Sequence, residues 1–569
     1  QDSAQVLTDS VQPPLPEGPW RSPVISIREA STPPGPLPPG MRHTFTRDSV
    51  LWSSALTLGD LLGQIPGVYI ARGGFLGQPE YLQYGGRGGA ALEIYWDGVP
   101  MEPLGGDTLF LDPGRIALSY LRRIDVEVLP ASLRIYLVSE RHEGLDPRSV
   151  VCITSGSFST GAYAGLFQNR WPQGTSIDIA ADFAGTDGAS GENRSDQTFD
   201  IWAKVGWMPS ERFGAIYQMR RQRHDRDPVS NNGQIGVPER AGARTDFSFD
   251  LFAGSRPNGL GIRADGGAAV SSWSADSGTG LSDQSIRQAH VGLRYMHPRW
   301  TAAIHTRVAD ARTPFSLEAQ VGVVPLPGFV LSGMGRWRRH DADRESRSVY
   351  GSAGLYRGPV SLVGTVALQK AVQAPVMLDD SAVSTADRSL IGGLNTRRLT
   401  GHVGVVHRDA YQPLPYPDLP ALPAMSASPA TTYLVADAQL RLSSVVTVSG
   451  WYSDPLSDSL ASLQPPKHGR AEITLRSKYW RTFRSGAFDL KVRWAMESWS
   501  TGIAGLDAVG APVELPGATF FEAHVEFQVV GFTAYWNLRN ARLTDAVYVP
   551  GLDYPKNAQT FGVTWEFRN

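Results

Sequence analysis

The sequence predicts a membrane β-barrel of about 22 antiparallel strands whose lumen is closed by an N-terminal α+β domain. Three observations predict it. From Ser149 onward, apolar and polar side chains alternate, with charges of both signs on the polar face. Tight turns punctuate that region and alternate with longer polar stretches. Ahead of it lies a segment whose pattern changes from helix to turn to strand. A barrel of this size needs a filled lumen, and the first segment supplies the filling.

Composition sets the bounds. At 569 residues the chain is long enough for one large barrel with an appendage. No run of eighteen apolar residues occurs, so no transmembrane helix is expected. Barrel strands cross a membrane by alternation and need no such run. The 53 basic and 55 acidic residues nearly cancel, which argues against nucleic acid as a partner. Cys152 is the one cysteine, so no internal disulfide can form; within Val150-Val151-Cys152-Ile153 it reads as a small buried hydrophobe in a strand. The chain starts at Gln1 without a signal peptide, as a processed, exported protein would.

Residues 1–47 are rich in proline, with Pro13, Pro14, Pro16, Pro33, Pro34, Pro36, Pro38 and Pro39. Such a segment buries too little apolar surface to offset its ordering entropy, so it reads as an extended arm. Val24, Ile25, Ser26 and Ile27 form its only apolar stretch.

Residues 48–148 form the α+β domain. A helix over 56–64 places Leu58, Leu61, Leu62 and Ile65 at helical spacing. It stops at Ile65-Pro66-Gly67-Val68, because proline biases Ile65 away from the helical region and Gly67 can take positive φ. Gly85-Gly86-Arg87-Gly88-Gly89 follows, where missing Cβ atoms let other backbone approach closely and leave one long cation in the middle. Then comes Ile94-Tyr95-Trp96-Asp97-Gly98-Val99-Pro100-Met101, with Asp-Gly between apolar runs as a hairpin signal. Strands are expected at 69–71, 92–96 and 123–129.

These three pieces, in this order and spacing, resemble the plug domain of TonB-dependent outer-membrane receptors over residues 57–132. The resemblance implies a globular plug inside a large barrel and ligand uptake across the outer membrane. It also implies a periplasmic arm pulled by an energised, TonB-like inner-membrane partner that pairs with it by strand addition. Val24 to Ile27 would be that coupling segment. Ile65, Pro66, Gly67, Val68, Arg87, Gly88, Asp97, Gly98, Val99 and Pro100 would be structural or gating residues of the plug. The sequence departs from the family after Ile124-Asp125-Val126-Glu127-Val128. Leu129-Pro130-Ala131-Ser132 and then Arg134 to Val138 replace the usual RGP, YG and glycine-rich return strand.

Residues 149–569 form the barrel. Arg470, Glu472, Thr474, Arg476 and Lys478 share one face of a strand, and Ala471, Ile473, Leu475 and Tyr479 the other. Phe488, Leu490, Val492, Trp494 and Met496 oppose Asp489, Lys491, Arg493 and Glu497. Phe521, Ala523, Val525, Phe527 and Val529 oppose Glu522, His524, Glu526 and Gln528. In a membrane barrel the apolar face meets lipid and the charged face meets a wet lumen or a polar plug. Ten tight turns lie near Pro172, Pro209, Pro257, Pro298, Pro327, Gly358, Thr396, Ser444, Phe483 and Gly531. Longer stretches at 225–241, 373–386, 411–431 and 500–517 would be outer loops. Ten turns join twenty strands, and residues 149–156 and 558–567 add two. In the last strand Phe561, Val563, Trp565 and Phe567 share a face, and Arg568 and Asn569 follow it.

No GxSxG, HExxH, P-loop or paired cysteines point to an enzyme, and no cofactor is expected. His402 and His407 are five apart, hence on opposite faces of a strand and unable to share a metal. Asp379-Asp380 in an outer loop reads as a solvated acidic pair or a calcium ligand. The arginine runs at 220–226 and 336–340 read as ion-paired loop stems or as contacts for phosphates of outer-membrane lipid and lipopolysaccharide. Arg87, held on a plug in a charged lumen, should pair with a barrel carboxylate such as Glu522 or Glu526. Two functions are compatible with all this. One is a TonB-dependent transporter. The other is an outer-membrane structural or assembly protein, partnered by other outer-membrane or periplasmic subunits.

Overall fold

Alternation along the chain becomes the wall of a cylinder. In the computed structural model, twenty-two strands of the described residues close into one antiparallel barrel, running from Arg148–Gly156 to Ala558–Arg568. Those two terminal strands pair with each other, Phe561 opposite Ser155 and Trp565 opposite Val151. The structure describes residues 42–568 except 52–54, 106–108, 189–194, 211, 232–233, 257–259, 277–281, 420–423, 458–460, 480–481, 484–486, 508, 543–546 and 553. No helix among them is long and apolar enough to cross a membrane.

The expected turns stand at the junctions of consecutive wall strands, at one end of the barrel, except that Pro209 lies within the last residues of Asp196–Ser210 and Pro257 lies outside the described residues. Longer connections occupy the other end. Val151, Ile153, Val291, Leu293, Trp494 and Phe527 are exposed on the outside, whereas Asp200, Arg220, Arg493 and Glu526 are buried on the inside. Trp171, Trp207, Phe213, Trp300 and Phe567 gather outside near the short-turn end. Such an aromatic girdle sits at a membrane–water interface. Lys478 and Tyr479, expected in a strand, lie beyond its end, because that strand stops at Ser477. Cys152 is half-buried and stands on the lumen side of its strand, between the outward Val151 and Ile153.

The plug is built around a five-stranded sheet in the order Arg42–Thr46, Leu121–Val128, Leu133–Ser139, Leu92–Trp96, Val99–Pro100. Its first strand lies in residues expected to belong to the arm. RHTFT is short and follows a proline-rich run, but it pairs along Leu121–Val128 with Phe45 opposite Ile124. The central strand, Leu133–Ser139, is buried throughout and pairs parallel with Leu92–Trp96. It is this strand that replaces the family's return pattern.

The helix is shorter than expected, Leu58–Leu62. A capping box starts it: the Thr57 hydroxyl accepts from the Asp60 N–H, and the Asp60 carboxylate accepts from the Thr57 N–H. Leu58, Leu61, Leu62 and Ile65 are all fully buried in the plug core. Gly67 takes φ +77°, and the chain turns into strand Val68–Arg72. Asp97 and Gly98 take φ +44° and +91°, the two positive values a tight hairpin between Trp96 and Val99 needs.

The plug core is continuous with one side of the wall. Val150, Leu166, Ala180 and Trp202, from the first four wall strands, belong to the same apolar cluster. The Trp202 ring stacks on Tyr120 at 5.4 Å between centroids. On the opposite side plug and wall meet through polar groups, gaps and a smaller apolar cluster of Leu129 with Met334, Tyr350, Val363 and Ala367.

Candidate functional site between plug and wall

The helix Leu58–Leu62 also moors the plug. Asp60 caps its own helix with one oxygen and receives Arg539 of the wall, with Nη1–Oδ1 2.9 Å and Nη2–Oδ2 2.6 Å. Arg72 of the plug reaches the same carboxylate at 2.8 Å and also pairs with Glu80. Burial pushes the Asp60 carboxyl up. The attraction of Arg539 and Arg72, with hydrogen bonds from Arg539 and the Leu56 N–H, outweighs burial and holds it well below the usual carboxylate range.

Arg87 makes the second mooring. It is 4% exposed, places Nη2 2.5 Å from Asp387 Oδ1, and lies over the Tyr411 ring at 4.4 Å. Its partner is a wall carboxylate, but neither of the two expected. Glu522 is taken by Arg470 and Arg493, at 2.5 and 3.6 Å, and Glu526 by His524 at 2.9 Å. The neighbouring glycines make room for side chains rather than for the backbone expected. A Cβ on Gly85 would lie 2.9 Å from Arg408, and one on Gly86 would lie 2.5 Å from Ser428 Oγ. Arg408 uses the room to donate to Pro130 O at 2.9 Å, with its guanidinium between the Tyr84 and Tyr433 rings. The Gly86 N–H donates to Gln464 Oε1 at 2.6 Å.

A third set lies on the side away from Trp202. Glu93 of the plug meets Arg336 at 2.6 Å and Arg338 at 3.2 Å, and Glu102 meets Arg307 at 2.8 Å. Two cavities of about 150 and 170 Å³ open between these groups. They share Tyr95, Pro100, Arg307 and Arg338, so they lie end to end beside the plug strand Leu92–Trp96. Their size suits an ion or a small polar solute, since drug-sized ligands need roughly 300 Å³ or more. In the first cavity Asp265, His290 and His305 bring one ligand-capable atom each to within 4.8 Å of one another. The sequence offered no cue to this trio, because the three residues lie on three different strands.

The long-loop end is covered. Tyr69, Phe75, Tyr81 and Phe110 of the plug pack in one cluster with Tyr416, Leu419, Tyr548, Leu552 and Tyr554. Tyr81 stacks on Tyr416 at 4.3 Å, and the Tyr69 hydroxyl donates to Tyr548 O at 2.6 Å.

Other expected sites are placed differently. The arginine runs do not form a rim, because alternation splits them. Arg220 pairs inside with Asp200 at 2.8 Å, and Arg336 pairs inside with Glu93; Arg223 and Arg339 point outward to Asp225 and Asp343. Asp380 is a loop staple, its Oδ2 accepting from the Gln373 and Ala374 N–H groups at 2.7 and 2.8 Å. Asp379 beside it is exposed. His402 and His407 bond separately to Asp437 and Thr432, at 2.9 and 3.0 Å. Val24 to Ile27 lie outside the described residues.

This architecture can be compared with solved structures. A variant of the ferric enterobactin receptor of Pseudomonas aeruginosa superposes with a TM-score of 0.70 at 13% identity, covering 94% of this chain and 100% of that one. The siderophore receptor PirA of Acinetobacter baumannii gives 0.69 at 9%, covering 93% and 98%. The FrpB iron transporter of Neisseria meningitidis gives 0.67 at 11%, covering 93% and 99%. The chain has the fold of these receptors. No family model matches its sequence, and no curated protein does. The likeness is thus carried by strand count, closure and plug rather than by residue identity.

Proposed function

We propose that the chain is an outer-membrane uptake transporter of the TonB-dependent type, resident in a Gram-negative outer membrane. Short turns and the N-terminal arm face the periplasm, and residues 24–27 meet the energised inner-membrane partner. The observation that carries this reading is a plug moored by separable ion pairs inside a wall that matches uptake receptors over their whole length. Arg87, with Gly88, and the Ile65-Pro66-Gly67-Val68 and Asp97-Gly98-Val99-Pro100 turns hold the plug in its resting shape. The cavities beside Tyr95 are the route along which a small solute would pass when the moorings exchange. The matched receptors are named for siderophores and iron. Cavities of this size favour a small iron species. Lipid and lipopolysaccharide contact the apolar belt.

The aromatic cover over the long-loop end favours a second reading, an outer-membrane scaffold with other outer-membrane or periplasmic subunits and no active transport. One experiment separates them. In iron-depleted cells, deletion of residues 1–31 is expected to lower radio-iron accumulation to the level of cells lacking the chain. Equal accumulation with and without those residues rejects coupled transport and leaves the scaffold.

A further inference from the structure

We propose that Asp265, His290 and His305 form a binding site for a first-row divalent metal ion of the zinc class, on the lumen face of the wall beside the plug. The site arises from register. Asp265 stands opposite Gly292, and Gly292 stands opposite His305 on the next strand. Neighbouring strands are about 4.8 Å apart, so Asp265 and His305 are two strand spacings apart and meet only if nothing stands between them. A Cβ at Gly292 would lie 2.4 Å from Asp265 Oδ2. The glycine therefore clears the floor on which the two side chains converge. His290, two residues before Gly292 on the same face, supplies the third group. Their ligand-capable atoms lie within 4.8 Å of one another. An ion with tetrahedral bonds near 2.0–2.2 Å holds its ligands about 3.3–3.6 Å apart, so the side chains must draw in by up to about 1.5 Å.

A second observation points the same way. His290 Nε2 is 3.2 Å from Asp250 Oδ1, two strands away across Gly267. Metal-binding histidines commonly give one ring nitrogen to a carboxylate while the other binds the ion. With Nε2 so occupied, Nδ1 is the nitrogen left to ligate. Asp250 also reaches over a glycine, since a Cβ on Gly267 would lie 2.4 Å from its Oδ1. The cation opposite His290 in the register, Arg307, is engaged by Glu102 and Gln288 at 2.8 and 3.0 Å. Two imidazoles and a carboxylate suit Zn²⁺ and its neighbours rather than Ca²⁺ or Mg²⁺, which take oxygen ligands. Three protein ligands leave a position for water or a solute from the cavity. The site does not depend on the uptake reading, because binding is a property of the wall.

The test is calorimetric titration of Zn²⁺ into untagged, chelator-stripped protein in detergent, with each variant first shown to run as a folded barrel in an unheated gel. The wild type is expected to bind one equivalent. His305→Ala, Asp265→Asn and Gly292→Ala are each expected to lose it, the last with all three ligands still present. Asp250→Asn is expected to weaken binding about 10–100-fold. His402→Ala is expected to bind as the wild type does. Co²⁺ should give visible absorption in the wild type and none in His290→Ala. Absence of zinc binding by the wild type overturns the proposal. So does an equivalent that survives in the His290→Ala/His305→Ala double variant.

Discussion

Asp60 of the plug and Arg539 of the wall face each other through two parallel hydrogen bonds, of 2.9 and 2.6 Å, although 479 residues separate them in sequence. Both side chains are about nine-tenths buried. Removing one charge from such a pair strands the other, a cost of about 3–5 kcal/mol. Asp60→Asn is therefore expected to loosen plug docking by about that amount, read as faster protease cleavage of the plug in folded barrels. The carboxyl is held below its ordinary value of 3.8. A depressed carboxylate contributes stability that is present above its unfolded value and lost as pH falls through its folded one. Wild type and variant should differ equally at pH 7 and pH 5, and converge only below about pH 4.

Arg87 and Asp387 form the mooring on another sector of the wall. Arg87→Ala is expected to leave the plug folded but docked less firmly, again by about 3–5 kcal/mol. The exchanged pair, Arg87→Asp with Asp387→Arg, should recover part of the protection. Unchanged protease protection in Arg87→Ala would show that the pair does not hold the plug.

His340 ties two neighbouring short connections together, its Nδ1 3.0 Å from Thr313 Oγ1 and its Nε2 2.7 Å from Ser346 Oγ. Burial, with Arg338 and Arg344 nearby, pushes it down to about 4. A histidine with a lowered value stabilises the fold fully above its unfolded value of 6.5 and loses that contribution as pH falls from there towards 4. Hydrogen exchange over residues 340–346 should accelerate more than about ten-fold beyond the intrinsic pH effect between pH 7.5 and pH 5. His340→Asn should abolish that pH dependence.

Val291 is 67% exposed and sits midway along Gln284–His297 on the outside. If that surface meets lipid, Val291→Arg costs about 2–4 kcal/mol and Val291→Leu nearly nothing. Urea unfolding in lipid vesicles reads the difference. An arginine tolerated as well as leucine would mean that this face meets water.

Much of the architecture was legible because turns are written in proline and glycine. Pro172, Pro209, Pro298 and Pro327 each interrupt a period-two run, and the structure places a strand end at each. Faces were legible too, as Arg493 inside and Trp494 outside show. Partners across the lumen were not. Arg87 and Asp387 are 300 residues apart, and only the plug's seating decides which wall carboxylate it meets. Asp265, His290 and His305 converge through register, which alternation alone leaves open. Strand Arg42–Thr46 was hidden by its brevity and its proline-rich approach. The helix start was placed two residues early, because Asp60 rather than the usual Glu or Gln closes the capping box with Thr57.

The seam between Ala558–Arg568 and Arg148–Gly156 constrains how the molecule is made. Until Ala558–Arg568 pairs with it, the opening strand has a bare backbone edge, which hydrocarbon does not tolerate. Membrane entry must therefore wait until residues 558–568 have been made. A premature stop before residue 558 would leave a chain that cannot be sealed, not merely a smaller pore.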